Sequence, residues 1–267
     1  MNIYIFELKT YLKSALLWSA AISAFIFMVM SFYPGMMSDA ELMDQVLASF
    51  PEEFLKAFGM AGAISISSVV GFFAFAFVFV QLLLAMQSAN YGIGVLSVEE
   101  RELTADFLMT RPISRTRIIL SKFLAVMTAL TITNLFVWLS SIGGILIFNN
   151  GNEYSFKTIS LILSANILFQ LYFVSIGMII SVLVKKIRSV LSFSMALSFG
   201  MYAIFTIGEV LDTVNFGVIS PFYHYDPSYI SLHGKYNLMM TLLSCVIIAV
   251  CFGLSYILYR NRNIHTV

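Results

Sequence analysis

Four acids and three arginines fall within residues 98–115, VEERELTADFLMTRPISR, of a chain that is 60% hydrophobic and only 11% charged. No nucleophile with a plausible histidine and acid partner accompanies them, so the chemistry they offer is recognition. The acids are Glu99, Glu100, Glu102 and Asp106, and the apolar Phe107 and Leu108 stand adjacent beside them. Ser97 and Glu100 have the spacing of a capping box, in which hydroxyl and carboxylate satisfy the free N–H groups of a helix start. Pro112 ends that helix, because the residue before a proline avoids the α region. Ser114 then caps the next helix. A short capped helix at a membrane face, carrying adjacent apolar side chains, fits a docking surface for a soluble partner better than a passive loop.

Other chemistries find little support. No G-x-x-x-x-G-K-[ST] run is present, so a P-loop is excluded. His224, His233 and His265 lack metal-ligand spacing. Cys245 and Cys251 stand six positions apart, roughly 9 Å along a helix and beyond disulfide reach; they read as buried inert thiols. Gly92 and Gly94 read as loop or helix-end punctuation. Glu209 is the one acid within an apolar span, near its outer end, which argues against a proton relay. The polar span residues are milder: Gln81 and Gln87, Asn134, then Asn166 and Gln170, which are four apart and share a helical face. Two readings stay open for them. One is interhelical hydrogen bonding at about 0.6 kcal/mol each; the other is a substrate path through Gln81, Gln87, Asn166 and Gln170. Phe72, Phe73, Phe75, Phe77 and Phe79 read as lipid-facing bulk, or as an aromatic wall for an apolar substrate.

The elements that position these residues are membrane helices. A mean hydropathy of +0.90 excludes an ordinary soluble domain, where about 25% of residues are charged. Six segments supply the roughly 20 apolar residues that a span needs: 14–32, 64–86, 123–148, 159–184, 190–211 and 238–259. The expected fold is all-α, a single polytopic domain over 1–267. The first span lacks a small-x-small cleavage site and is expected to stay as an anchor. Putting both termini and the 87–122 and 185–189 loops on one side gathers twelve of fifteen Lys and Arg there, leaving Lys56, Lys157 and Lys235. By the positive-inside rule that side is cytoplasmic.

Three further pieces are expected to be structured. Tyr4, Leu8, Tyr11 and Leu12 share a face of residues 2–13, with Glu7, Lys9 and Lys13 elsewhere, as in an amphipathic helix lying in the interface. Residues 38–60 read as two short outer helices, capped near Ser38 and broken at Pro51. Residues 212–237, dense in proline and aromatics, read as an outer cap. The two halves do not repeat, which weakens the case for an inverted-repeat transporter.

Together these features resemble the permease subunits of ABC-2 type (type V) ABC exporters. The residue-level likeness lies in Glu99-Glu100, the run Thr104 to Arg115 with its Pro112-Ile113-Ser114-Arg115 ending, Lys122 before span three, and Ile219-Ser220-Pro221-Phe222 with Asp226-Pro227 outside. Many relatives carry glycine where this chain has Leu103. The resemblance implies a coupling helix between spans two and three, docking on a separate cytoplasmic ATPase through Glu99, Glu100, Glu102, Leu103, Asp106, Phe107, Leu108 and Arg111. It also implies a second permease subunit, and ATP with Mg bound by the ATPase and not by this chain. The chain itself is then no enzyme.

The expected function is export of an apolar or amphipathic substrate (a membrane-active peptide, drug or lipid-like molecule) across the bacterial plasma membrane. Lipid is the expected environment and nucleic acid is not an expected partner. The alternatives are an ATPase-independent channel or secondary transporter, which calls for intramembrane charges or repeats, and a non-transporting scaffold or sensor.

Overall fold

Apolar runs without internal proline fold as helices, because away from water every backbone N–H and C=O must be bonded within its own segment. All five prolines lie outside the long helices. The computed structural model describes residues 3–38, 45–47, 49–57, 67–101, 114–184, 187–211 and 215–261. Its helices are α1 (Ile3–Met30), α2 (Tyr33–Ser38), α3 (Glu52–Ala57), α4 (Val69–Arg101), α5 (Arg115–Phe148), α6 (Phe156–Leu183), α7 (Val190–Leu211), α8 (Pro221–His224), α9 (Pro227–His233) and α10 (Leu238–Asn261), with a 3-10 turn over Asn215–Ile219. Six are long and apolar enough to cross a membrane, and no strand occurs among the described residues. The chain is an all-α, multi-pass membrane protein.

Helix α1 packs along α5, α4 along α6, and α7 and α10 complete the bundle against α4 and α6 respectively. Helix α4 is the most enclosed of the six. This corrects the lipid-facing reading of its phenylalanines: Phe72, Phe73 and Phe77 are buried. Between membrane helices close packing supplies much of the attraction, and rings offer large contact areas at tilted or edge-on geometry. Phe73 meets Phe77 at 5.1 Å, and Phe169 and Phe173 of α6 both meet Phe222 of α8, at 5.1 and 5.9 Å.

Three local expectations need correction. Residues 3–13 do not form a separate helix, since α1 runs unbroken from Ile3 to Met30 and buries Glu7 on the stripe of Ala15, Ser19, Ile22, Ile26 and Met30. Ser97 is no helix start: α4 passes through it, and its hydroxyl donates back to the Ile93 carbonyl at 2.7 Å. Ser38 is the last residue of α2, residues 39–44, where the expected cap would act, lie outside the described residues, and α3 begins just after Pro51 as expected. Cys245 is exposed and Cys251 half-buried, so neither is a core thiol.

Gly92 and Gly94 also lie inside α4, and Gly92 has a packing reason to be there. A Cβ on Gly92 would stand 2.8 Å from the Val174 Cα of α6, and one on Gly177 would stand 2.9 Å from the Ile93 N of α4. The two backbones touch at paired glycines, as small residues permit in membrane bundles.

Residues 215–237 form a cap packed on α4, α6 and α7. Asp226 is the N-cap of α9 and accepts from the Ser228 and Tyr229 N–H groups at 2.9 and 3.2 Å. Pro227 occupies the first turn, where its missing N–H costs nothing, and Gly234 closes the helix at φ 61°, a left-handed conformation that suits glycine. Burial pushes the Asp226 carboxyl up to about 6, against the two N–H donors and with help from Glu209. The folded chain therefore holds the proton in a window where the unfolded chain has released it, so stability falls as pH rises from about 4 to about 6. Asp226→Asn keeps the capping oxygen and removes that dependence. Thermal unfolding in detergent at pH 5 and 7 is expected to show a smaller difference for the variant than for wild type; an equal difference would assign the titration elsewhere.

Candidate functional site

The N-terminal turns of α1 and α5 meet the C-terminal turns of α4 and α10 at one end of the bundle. There the Lys122 ammonium, 1% exposed, lies 3.2 Å from the Glu7 carboxylate and donates to the Val95 carbonyl at 3.0 Å. Charges are buried only where they are paired and hydrogen-bonded, and this pair ties α1, α5 and α4 together. Beside it the Tyr4 hydroxyl bonds Thr128 of α5 at 3.0 Å, and the Tyr11 ring packs on Tyr91 of α4 at 4.9 Å. Arg115 donates to the Tyr259 and Arg260 carbonyls of α10 at 3.3 and 3.0 Å, satisfying carbonyls at a helix C-terminus.

Ser114 caps α5 as expected, accepting from the Arg117 N–H at 3.4 Å. Glu99 and Glu100 belong to the last turn of α4. Glu102, Leu103, Asp106, Phe107, Leu108 and Arg111 lie outside the described residues. In the chain they lie between α4 and α5.

The polar span residues separate into three places. Gln81 donates to the Tyr225 carbonyl at 2.9 Å, tying α4 to the cap between α8 and α9. Gln87 donates to Thr133 at 2.8 Å and to the Tyr91 hydroxyl at 3.3 Å, and the Tyr91 hydroxyl donates to the Ser14 oxygen at 3.1 Å. That network crosses α4, α5 and α1. The Asn134 amide donates to Gln170 at 2.6 Å, joining α5 to α6 beside a groove that both residues line. Gln81, Gln87 and Asn166 do not line that groove. Asn166 is fully buried.

Sequence reasoning missed Glu7 as a bundle residue. The signal was available: Glu7 continues the three-and-four spacing of the Ala15–Met30 stripe, visible once α1 is read as a single helix. Lys122 was noted as a lysine before a span, but its partner could not be named while Glu7 was assigned to an exposed face.

A family model described as ABC-2 family transporter protein matches residues 1–264. No curated protein matches the chain.

Proposed function

This chain belongs to the ABC-2 transporter family, and from that premise we propose that it is the permease of an ATP-driven exporter. A separate cytoplasmic ATPase supplies the energy, a second permease subunit completes the path, and an apolar or amphipathic molecule is carried out of the cell. The observation that supports this reading is the close bonding of α4 to α5, the two helices that residues 102–113 connect along the chain. The bond runs between Lys122 and Val95, and the sequence of the connecting residues combines acids, adjacent Phe107 and Leu108, and the Pro-Ile-Ser-Arg ending. A displacement applied there moves α4 and α5 as a unit and reaches α1 through Glu7.

Docking is tested by recovery of the ATPase on immobilised permease. Interfaces concentrate their energy in a few buried anchors, so Phe107→Ala is expected to cost about 2 kcal/mol, a weakening of roughly thirtyfold. Glu99→Gln and Asp106→Asn cost less and chiefly change the salt dependence. Unchanged ATPase recovery with Phe107→Ala, at matched permease levels, would remove the coupling assignment.

The twelve-to-three split of basic residues supports a cytoplasmic location for this end and both termini in the bacterial plasma membrane. In a background freed of Cys245 and Cys251, an impermeant thiol reagent applied to intact cells is expected to label Ser38→Cys and spare Thr104→Cys. The reverse pattern would invert the topology. Of the four residues considered for a substrate path, Gln170 supports that role best, because it alone lines the groove between α5 and α6.

A further inference from the structure

Helix α10 is the least enclosed of the six long helices, so the polar bonds at its two ends weigh heavily in where it stands. At its C-terminal end the Arg115 Nη1 donates to both the Tyr259 and the Arg260 carbonyls, and the Thr116 hydroxyl bonds that of Tyr256 at 2.9 Å. Carbonyls of a last helical turn have no partner within the helix and carry its negative dipole end, so a guanidinium suits them. Phe123 adds an edge-on contact with Phe252 at 4.8 Å. Arg115 opens α5, and only Ser114 separates it from residues 102–113. Toward the other end of α10, Ser244 meets the His224 Nδ1, and the His224 Nε2 meets the Val218 carbonyl. A carbonyl only accepts, so Nε2 carries the hydrogen and the Ser244 hydroxyl donates to Nδ1. The turn that His224 closes reaches deep into the bundle. Tyr172 donates to the Ile219 carbonyl at 2.9 Å, Gln81 to the Tyr225 carbonyl at 2.9 Å, and Ser220 to the Met201 carbonyl at 2.8 Å. Tyr172, Gln81 and Met201 all lie near the middles of their helices.

We propose that α10 is a strut that carries displacement of residues 102–113 to the turn Val218–Tyr225 in the middle of the bundle, with Arg115 as the positioning residue that joins strut to source. The source of the movement rests on the coupling reading above; the joint belongs to the permease by itself. A shift of the first turn of α5 takes the last turn of α10 with it, because the Arg115 and Thr116 bonds hold the two turns together. From Ser244 to Tyr259 the helix runs roughly 22 Å at 1.5 Å per residue, and its own backbone bonds keep that length. It lies chiefly along α6, and packed helices accommodate small sliding movements. Ser244 then draws His224 and the turn that it closes. Helix α10 is in this way an output separate from the Glu7 route into α1.

The test is backbone hydrogen exchange of the full chain in nanodiscs, read by mass spectrometry, first without ATPase. Arg115→Gln is expected to speed exchange about threefold, the worth of one membrane hydrogen bond, in the last turn of α10 and also at residues 218–225. Helix α7, which makes neither clasp, is expected to stay at the wild-type rate. Coupling is reciprocal, so Ser244→Ala is expected to speed exchange in the last turn of α10 as well. Arg115→Lys is expected to restore the wild-type pattern, because Nη1 alone makes both carbonyl bonds and one ammonium can replace it. If Arg115→Gln fails to fold, the double variant Thr116→Val/Tyr256→Phe weakens the same clasp and leaves the cation. Faster exchange that stops at the clasp, with residues 218–225 at the wild-type rate, overturns the proposal. In the second arm, ATPase trapped on the wild-type chain with ATP and vanadate is expected to change exchange at residues 218–225. Arg115→Gln is expected to lose that change while recovering as much ATPase. An equal change in the variant overturns the role of Arg115. Failure of the wild-type chain to recover ATPase sinks the coupling reading instead, and the first arm still decides the strut.

Discussion

Replacing Gly92 with leucine is expected to abolish recovery of folded protein. A Cβ at this position stands 2.8 Å from the Val174 Cα and 3.0 Å from its carbonyl carbon. Both are backbone atoms, so no rotamer change relieves the contact. Gly177, facing it from α6, is equally closed: its Cβ would meet the Ala89 carbonyl at 3.0 Å. The remaining relief is to move α6 away from α4, which opens the most enclosed seam of the bundle. Overpacking a core site typically costs about 1–3 kcal/mol; two opposed backbones with no soft neighbour put this change above about 4 kcal/mol. Gly94→Ala, two positions away, is the internal control, because its Cβ meets nothing nearer than the Tyr11 hydroxyl at 3.9 Å. Size-exclusion profiles of detergent-extracted protein separate the two. A monodisperse Gly92→Leu peak at wild-type yield would mean that the helices do not cross there.

That crossing also marks how far the sequence could be read. The six spans were legible because length and hydropathy alone decide what crosses a bilayer. Their ends were legible where a cap was local, as at Ser114, and were lost where tertiary packing carried a helix onward. Residues 87–97 fall in the expected 87–122 loop, with Gly92 and Gly94 read as punctuation. Burial of Tyr91, Ile93, Val95 and Leu96 against neighbouring helices keeps them helical. Gly92 was misread for the same reason: a glycine that ends a helix and one that admits another backbone look alike in one dimension. The candidate site was legible in residue type but not in grouping. Gln81, Gln87 and Gln170 were all recognised as intramembrane amides, yet each finds its partner on a different element. Nothing in spacing along one helix names a partner on another.

The largest electrostatic effect is expected at Lys122. Lys122→Met removes the ammonium facing Glu7 and the donor to Val95, in a place where both side chains are buried. Breaking a buried pair by deleting one partner costs about 3–5 kcal/mol, because the other charge keeps its desolvation penalty. Glu7→Leu alone is expected to destabilise as well, by leaving the ammonium without the carboxylate. The double variant Glu7→Leu/Lys122→Met removes both penalties together, and apolar replacement of a whole buried pair is often neutral. The double loss should therefore fall short of the sum of the single losses by at least about 2 kcal/mol. Thermal unfolding of the four proteins in one detergent measures this cycle. Additive losses would show that Glu7 and Lys122 stabilise the bundle independently. A coupled cycle makes the pair the joint between the first helix and the two helices that flank residues 102–113. The double variant, folded but without the joint's charges, would then separate the stability of the bundle from the transmission of movement through it.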